Sequence, residues 1–136
     1  MPLKISLNSF SYLKSGPPAD ESGNGGGFVF DCRFITNPGR NEEFRLLNGK
    51  DETVITFLDK LPAMNEFLEN VYRIIDPAIR KYIERDFTNL MINFGCTGGQ
   101  HRSVYSAEKT KEYIKKNFPG VFINLHHTQL EKDSVK

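Results

Sequence analysis

Residues 89–103 read NLMINFGCTGGQHRS. Asn89–Phe94 is a short apolar run with the look of a buried strand. Gly95–His101 is rich in glycine and reads as a loop. From Arg102 to Asn117 the pattern turns helical, with Val104, Ala107, Ile114 and Phe118 on one stripe and Glu108, Lys109, Glu112 and Lys115 outside it. Pro119-Gly120 ends that helix, and Val121–Leu125 supplies another strand. Strand, loop, helix and strand in this order make a βαβ unit, and the expected class is α/β: a mixed sheet with flanking helices.

The loop itself carries chemistry. A turn from a parallel strand into a helix gathers free backbone N–H groups, and the helix dipole adds positive potential. Gly98 and Gly99 let an anion approach the backbone closely. Thr97 and Ser103 bring hydroxyls, Gln100 an amide, and Arg102 a planar fork suited to two phosphate oxygens. His101 is placed to add charge near neutral pH. An arginine and a histidine at a helix start oppose the dipole, which costs stability unless an anion visits. The loop is therefore read as a phosphate-binding site made of Thr97, Gly98, Gly99, Gln100, His101, Arg102 and Ser103.

Upstream, Lys4–Tyr12 alternates, with Leu3, Ile5 and Leu7 on one face and Lys4, Ser6 and Asn8 on the other. Residues 15–27 hold Pro17, Pro18 and five glycines, and read as a flexible, hairpin-like connector. They lack the G-x-x-x-x-G-K-[ST] spacing of a Walker loop. Phe28–Phe34 reads as a second strand, on which Asp31 and Arg33 share a face. Asn37-Pro38-Gly39 is turn chemistry, and 41–48 an irregular surface segment. Asp51 stands where it can cap a helix bearing Val54, Phe57 and Leu58. Pro62 opens a longer helical region with Met64, Phe67, Leu68, Val71, Ile75, Ile79, Tyr82 and Ile83 in register; Pro77 makes it one kinked helix or two.

One domain spanning 1–136 accommodates these elements, with a polar tail at 131–136 expected to fray. A net charge of +1 excludes a strongly basic nucleic-acid binder by bulk charge. No apolar run approaches the roughly 20 residues of a membrane helix. The start has no leader pattern, and the cytoplasm is the expected compartment. Cys32 and Cys96 are expected as free thiols there. No cysteine–histidine spacing fits zinc, and adjacent His126 and His127 would point to opposite faces of a strand, so neither a metal nor another cofactor is expected.

Cys96, Gly99, Arg102 and Ser103 also satisfy C-x-x-G-x-x-R-[ST]. The pattern looks like the loop of cysteine-dependent phosphatases, with Cys96 as nucleophile, Arg102 as clamp and Asp31 as general acid. Gly95 stands where most of those enzymes have a histidine.

The longer string Gly95–Tyr105, GCTGGQHRSVY, closely resembles the signature of the RapZ family, bacterial RNase adapter proteins that carry it in their C-terminal domain. Ser9-Phe10 before a Gly/Pro loop, Phe30–Phe34, Asn37-Pro38, Arg45, Gly49, Asp51, His127 and Leu130–Lys132 extend the resemblance over nearly the whole chain. Gly39 and Arg40 depart from it, standing where the family usually has His-Trp. The family's N-terminal Walker-type domain has no counterpart here, and any ATP-binding property belongs to that domain.

The resemblance implies a phosphofructokinase-like subdomain that binds an amino-sugar phosphate, glucosamine-6-phosphate in better-known members. By position, Thr97, Gly98, Gly99, His101 and Arg102 would hold the phosphate, and Asp31, Arg33 and Asn37 the sugar. It also implies small regulatory RNA and an endoribonuclease as partners, and a homo-oligomer remains open. Lys109, Lys111, Lys115 and Lys116 are the basic residues that would serve RNA. The leading expectation is thus a regulatory binding module, and the alternative is the phosphatase.

Overall fold

A computed structural model describes residues 2–134. Four strands, β1 (Lys4–Ser11), β2 (Phe28–Asp31), β3 (Asn89–Cys96) and β4 (Phe122–His127), form one sheet in the order β2-β3-β1-β4. The helices are α1 (Glu52–Asp59), α2 (Pro62–Glu84), α3 (Arg102–Asn117) and α4 (Thr128–Asp133). The α/β class, the flanking helices and the C-terminal βαβ unit are as the sequence implies.

The sheet, expected to be mixed, is parallel in all three pairings. Each connection carries the chain back to the same edge before the next strand begins. Helices α1 and α2 do this between β2 and β3, and α3 between β3 and β4. Residues 12–27 do it between β1 and β2 without a helix. That segment is therefore a crossover and not a hairpin: β2 pairs with β3, Phe28 opposite Ile92 and Asp31 opposite Gly95.

Alternation along the strands divides the sheet into two unlike faces. Ile5 and Leu7 of β1 and Leu90, Ile92 and Phe94 of β3 point into the core. There they meet Met64, Leu68, Val71, Ile75 and Ile79 of α2 and Ala107 and Ile114 of α3. Each such side chain contributes roughly 1.5–3 kcal/mol by leaving water. Residues Ser6, Asn8, Met91, Asn93, Asn124 and His126 face the other way.

Pro77 lies inside α2, which runs unbroken through it. The tertiary packing on either side outweighs the missing backbone bond. Ile75 and Ile79 stay on the buried stripe, and Asp76 is drawn across to α3. Its carboxylate accepts from Arg80 Nε and from the Tyr113 hydroxyl, each at 2.6 Å. Tyr72 stacks on Tyr113 with ring centroids 4.1 Å apart. Asp51 occupies the N-cap of α1, but its carboxylate accepts from Asn48 N at 2.7 Å and not from the helix.

Residues 38–40 form a 3-10 turn where turn chemistry was read, and 42–44 form a second in the stretch read as irregular. The second strand is shorter than its composition suggests, ending at Asp31. The frayed tail is also corrected in part: Glu131–Asp133 complete α4, while Val135 and Lys136 lie outside the described residues. Among the described residues no helix is long and apolar enough to cross a membrane, and no cluster of His, Cys, Asp or Glu is placed to hold a metal ion.

Candidate functional site

All four strands finish along one edge of the sheet. Ser11 lies opposite Cys96, Asp31 opposite Gly95 and Ser9 opposite His127. This carboxyl edge is where open α/β sheets place their ligands. Residues 97–101 turn from β3 into α3 at that edge, so the topology puts the glycine loop there.

Gly99 shapes the loop. It takes φ +66, and a Cβ there would come within 2.9 Å of Gln129 Cβ and of Ser11 N. Only glycine fits both the conformation and the space. Gly98 stands beside it with nothing within 4 Å of a would-be Cβ, so its backbone faces open space. Ser11 Oγ donates to the Thr97 carbonyl at 2.6 Å, holding the loop's entry against β1.

Helix α3 begins without a side-chain cap. Its first-turn N–H groups and dipole are left for something outside the helix. Arg102 opens this helix and is only 4% exposed. Its Nη1 donates to the carbonyls of Arg33 and Ile35, both at 2.8 Å. Its Nε is buried with no hydrogen-bond partner among the described residues. A charged donor group in that position is oriented but not satisfied.

Asp31 and Arg33 come to the same place. Arg33 Nε donates to Asp31 Oδ1 at 2.9 Å and Nη2 to Oδ2 at 2.8 Å. The Arg33 guanidinium also lies 3.8 Å from the centroid of the Tyr12 ring. The bond from Arg33 holds the Asp31 carboxyl below its usual range, and the Arg102 charge pulls the same way. Asn37 is one turn further on; its Oδ1 accepts from Gly39 N at 2.9 Å, and Gly39 packs beside the His101 ring. The residues assigned to phosphate and to sugar are therefore brought together around Arg102.

Three of them spend their side chains on the scaffold. His101 is 6% exposed, and its Nε2 donates to the Phe44 carbonyl at 2.8 Å. Burial pushes its pKa down, so the ring is neutral near pH 7 and does not carry the charge expected of it. Gln100 Nε2 donates to the Arg45 and Leu47 carbonyls at 2.8 and 2.6 Å. Together these three bonds anchor the segment around residues 44–47 to the loop. Ser103 is fully buried, with its Oγ 3.1 Å from Cys96 Sγ.

This geometry lends the phosphatase alternative no support. Cys96 is 2% exposed and belongs to the hydrophobic core. Its thiol lies on the helix-covered side of the sheet, against Ser103 Oγ at 3.1 Å. Asp31 is ionised by its pairing with Arg33, whereas a general acid must hold a proton. The histidine of that pattern has no room either, because a side chain at Gly95 would fall on the Phe10 and Tyr12 rings. Cys32 and Cys96 are both free and buried, and burial pushes the Cys32 thiol far up.

One constellation went unread in the sequence. Ser9 Oγ is 2.7 Å from His127 Nδ1, and His127 Nε2 is 2.6 Å from Glu108 Oε2. The carboxylate accepts from Nε2–H, so Nδ1 accepts from the Ser9 hydroxyl. Ser9 is fully buried, which denies it any role as a nucleophile. The chain of bonds instead ties β1, β4 and α3 together just behind the loop. Thr128 adds a bond from Oγ1 to the Ser9 carbonyl at 2.9 Å. The available signal was the His126-His127 pair: His126 is exposed and His127 buried, on opposite faces as the alternation requires.

Residues 3–131 match the family model described as the RapZ C-terminal domain. A protein of Pseudothermotoga lettingae is 33% identical over 128 residues, covering 94% of this chain and 43% of that protein. One from Mannheimia succiniciproducens is 36% identical over 134 residues, 98% and 44% of the two. One from Fervidobacterium nodosum is 37% identical over 128 residues, 93% and 42%. All three bear the name nucleotide-binding protein. The chain spans less than half the length of these relatives.

Proposed function

Because this chain belongs to the RapZ C-terminal domain family, we propose that it is a regulatory domain whose loop at residues 97–102 binds a phosphorylated amino sugar, such as glucosamine-6-phosphate, without turning it over. The observation that carries this reading is Arg102. A guanidinium that is nearly buried, aimed by two carbonyls and left with an unpaired Nε at an uncapped helix start is completed by an anion. A phosphate dianion suits the fork and the open backbone at Gly98. Asp31 brings a carboxylate to the same neighbourhood, and an ammonium group on the ligand is its natural partner. The ligand is thus one with a negative and a positive end.

The nucleotide binding named for the relatives is assigned in this reading to the part of them that the chain does not cover. An adapter role toward small RNA and an endoribonuclease belongs to the same family reading. Lys111, Lys115 and Lys116 on α3 are its support, whereas Lys109 is drawn to Asp59 at 3.6 Å.

The test is an amide-shift titration of residues 95–103 with glucosamine-6-phosphate and with inorganic phosphate, on the wild type and on Arg102→Lys. A selective response to the sugar phosphate, much weakened in the variant, supports the reading. Equal responses to both ligands reduce the site to a general anion loop. No response to either overturns it.

A further inference from the structure

The face of the sheet opposite α1, α2 and α3 holds a cleft of about 480 Å3. Parallel sheets are ordinarily covered on both faces, because their crossovers are helices. Here the crossover from β1 to β2 is a strap. It leaves the carboxyl edge at Tyr12 and comes down near the opposite edge, where Asn24 Nδ2 donates to the Asn89 carbonyl at 3.2 Å. The strap is shaped by Asp20, whose carboxylate accepts from Ser22 N and Gly26 N. Residues 18–22 form one wall of the cleft and the polar side of the sheet forms the floor.

Asn8 stands in that floor and is only 4% exposed. Its Nδ2 donates to Asn93 Oδ1 at 3.1 Å and to Ser6 Oγ at 3.4 Å. Those bonds fix the amide so that Oδ1, which has no partner among the described residues, is its remaining hydrogen-bonding atom. That carbonyl is an acceptor in fixed orientation, offered to whatever enters the cleft. Ser6 and Asn124 flank it. Among the charged residues of the lining, three carboxylates (Asp20, Glu21 and Glu131) stand against one lysine. Lys4 opens β1, so it lies at the far end of the cleft from Glu131, roughly 15 Å away by the rise of a strand. His126 is exposed and sits 3.3 Å from Glu131. The cleft is therefore rich in acceptors and negative in charge, unlike the phosphate loop.

We propose that this cleft is a second binding site, separate from the loop, for a small aliphatic amine of the polyamine class, held by the Asn8 carbonyl and the carboxylates of Glu21 and Glu131. Ammonium groups supply several donors and the opposite charge at once. A flexible, narrow molecule suits a cleft that is bounded by a strap and open at its ends. Phosphorylated ligands are repelled by the same carboxylates, so the two sites do not compete for one molecule.

The experiment titrates the protein with spermidine at constant ionic strength, following the backbone amides of Ser6, Asn8 and Asn124 and the Asn8 side-chain amide by NMR. Sorbitol and inorganic phosphate serve as the neutral and anionic comparisons. Saturable shifts confined to these residues and the strap, with affinity about tenfold weaker in Glu21→Gln/Glu131→Gln, are expected. Both glutamates are exposed, so the variant leaves the fold intact. Shifts of equal size around Glu42 and Glu43 would show nonspecific attraction to acidic surface and overturn the proposal. A response to sorbitol equal to that for spermidine, an unchanged affinity in the variant, or no response would do the same.

Discussion

Arg102 donates from Nη1 to the carbonyl oxygen of Ile35, 2.8 Å away and 67 positions earlier in the chain. The bond joins the start of α3 to the segment leaving β2, and it makes one side chain answer for both the fold and the site. Arg102→Ala orphans the Arg33 and Ile35 carbonyls and is expected to cost about 3 kcal/mol in chemical denaturation. Arg102→Lys keeps a charge but loses the fork, so it retains most of the stability and loses about tenfold or more in phosphate affinity. Calorimetry on the two variants separates these roles; equal losses of stability would show that the fork, and not the charge, holds the two carbonyls.

The two loop glycines are expected to behave oppositely. Gly99→Ala meets a positive φ and contacts at 2.9 Å on Gln129 and Ser11. A loss of about 2–4 kcal/mol follows. Gly98→Ala has free space and no positive φ, so its stability stays within about 0.5 kcal/mol of the wild type while its anion affinity falls. Thermal melts with and without phosphate read both effects.

Buried thiols are slow thiols. In the native protein neither Cys32 nor Cys96 reacts with a thiol reagent on the timescale at which the unfolded chain is fully labelled. Hydrolysis of p-nitrophenyl phosphate stays at the background rate, and Cys96→Ser leaves it there. Rapid labelling of a single thiol in native protein would return Cys96 to the list of reactive groups.

His101 gives a pH dependence of definite sign. Burial holds its folded pKa below the ordinary histidine value, so the unfolded chain takes up the proton first as pH falls. Its contribution to stability is complete above about pH 6.5 and shrinks as pH drops toward the folded value. Melting temperatures measured from about pH 7.5 down to 5.5 should fall more steeply in the wild type than in His101→Gln. Parallel slopes would show that the ring takes up its proton without cost in the folded state.

The sequence exposed the βαβ unit because its signals are local. Residues 89–103 pass from an apolar run through glycines to a helical stripe, and Arg102–Asn117 proved to be the helix. The gathering of Asp31, Arg33 and Asn37 around Arg102 was reached by resemblance, since no spacing links positions so far apart. Tertiary competition hid the rest. His101 and Gln100 are good ligands by type, but backbone carbonyls at 44–47 claim them first. Cys96 matched a catalytic pattern, yet strand parity turned its thiol into the core, because β3 runs two residues further than its apolar run suggests. The Ser9–His127–Glu108 chain joins three elements, and nothing in the local pattern announces it.

The place of β1 in the middle of the sheet has a consequence for how the chain is made. Asn8 finds Asn93 85 positions later, and Ser9 finds His127 118 positions later. As the chain leaves the ribosome, the first strand emerges with both edges bare and must wait for almost everything else. Such long closures make folding late and concerted, with no stable half-built sheet along the way. Until β4 arrives, β1 keeps one edge bare and open to other chains, even once β3 has joined the other. A nascent protein stalled before residue 122 is therefore a candidate for chaperone capture, and the last few residues of β4 decide when the first ones become safe.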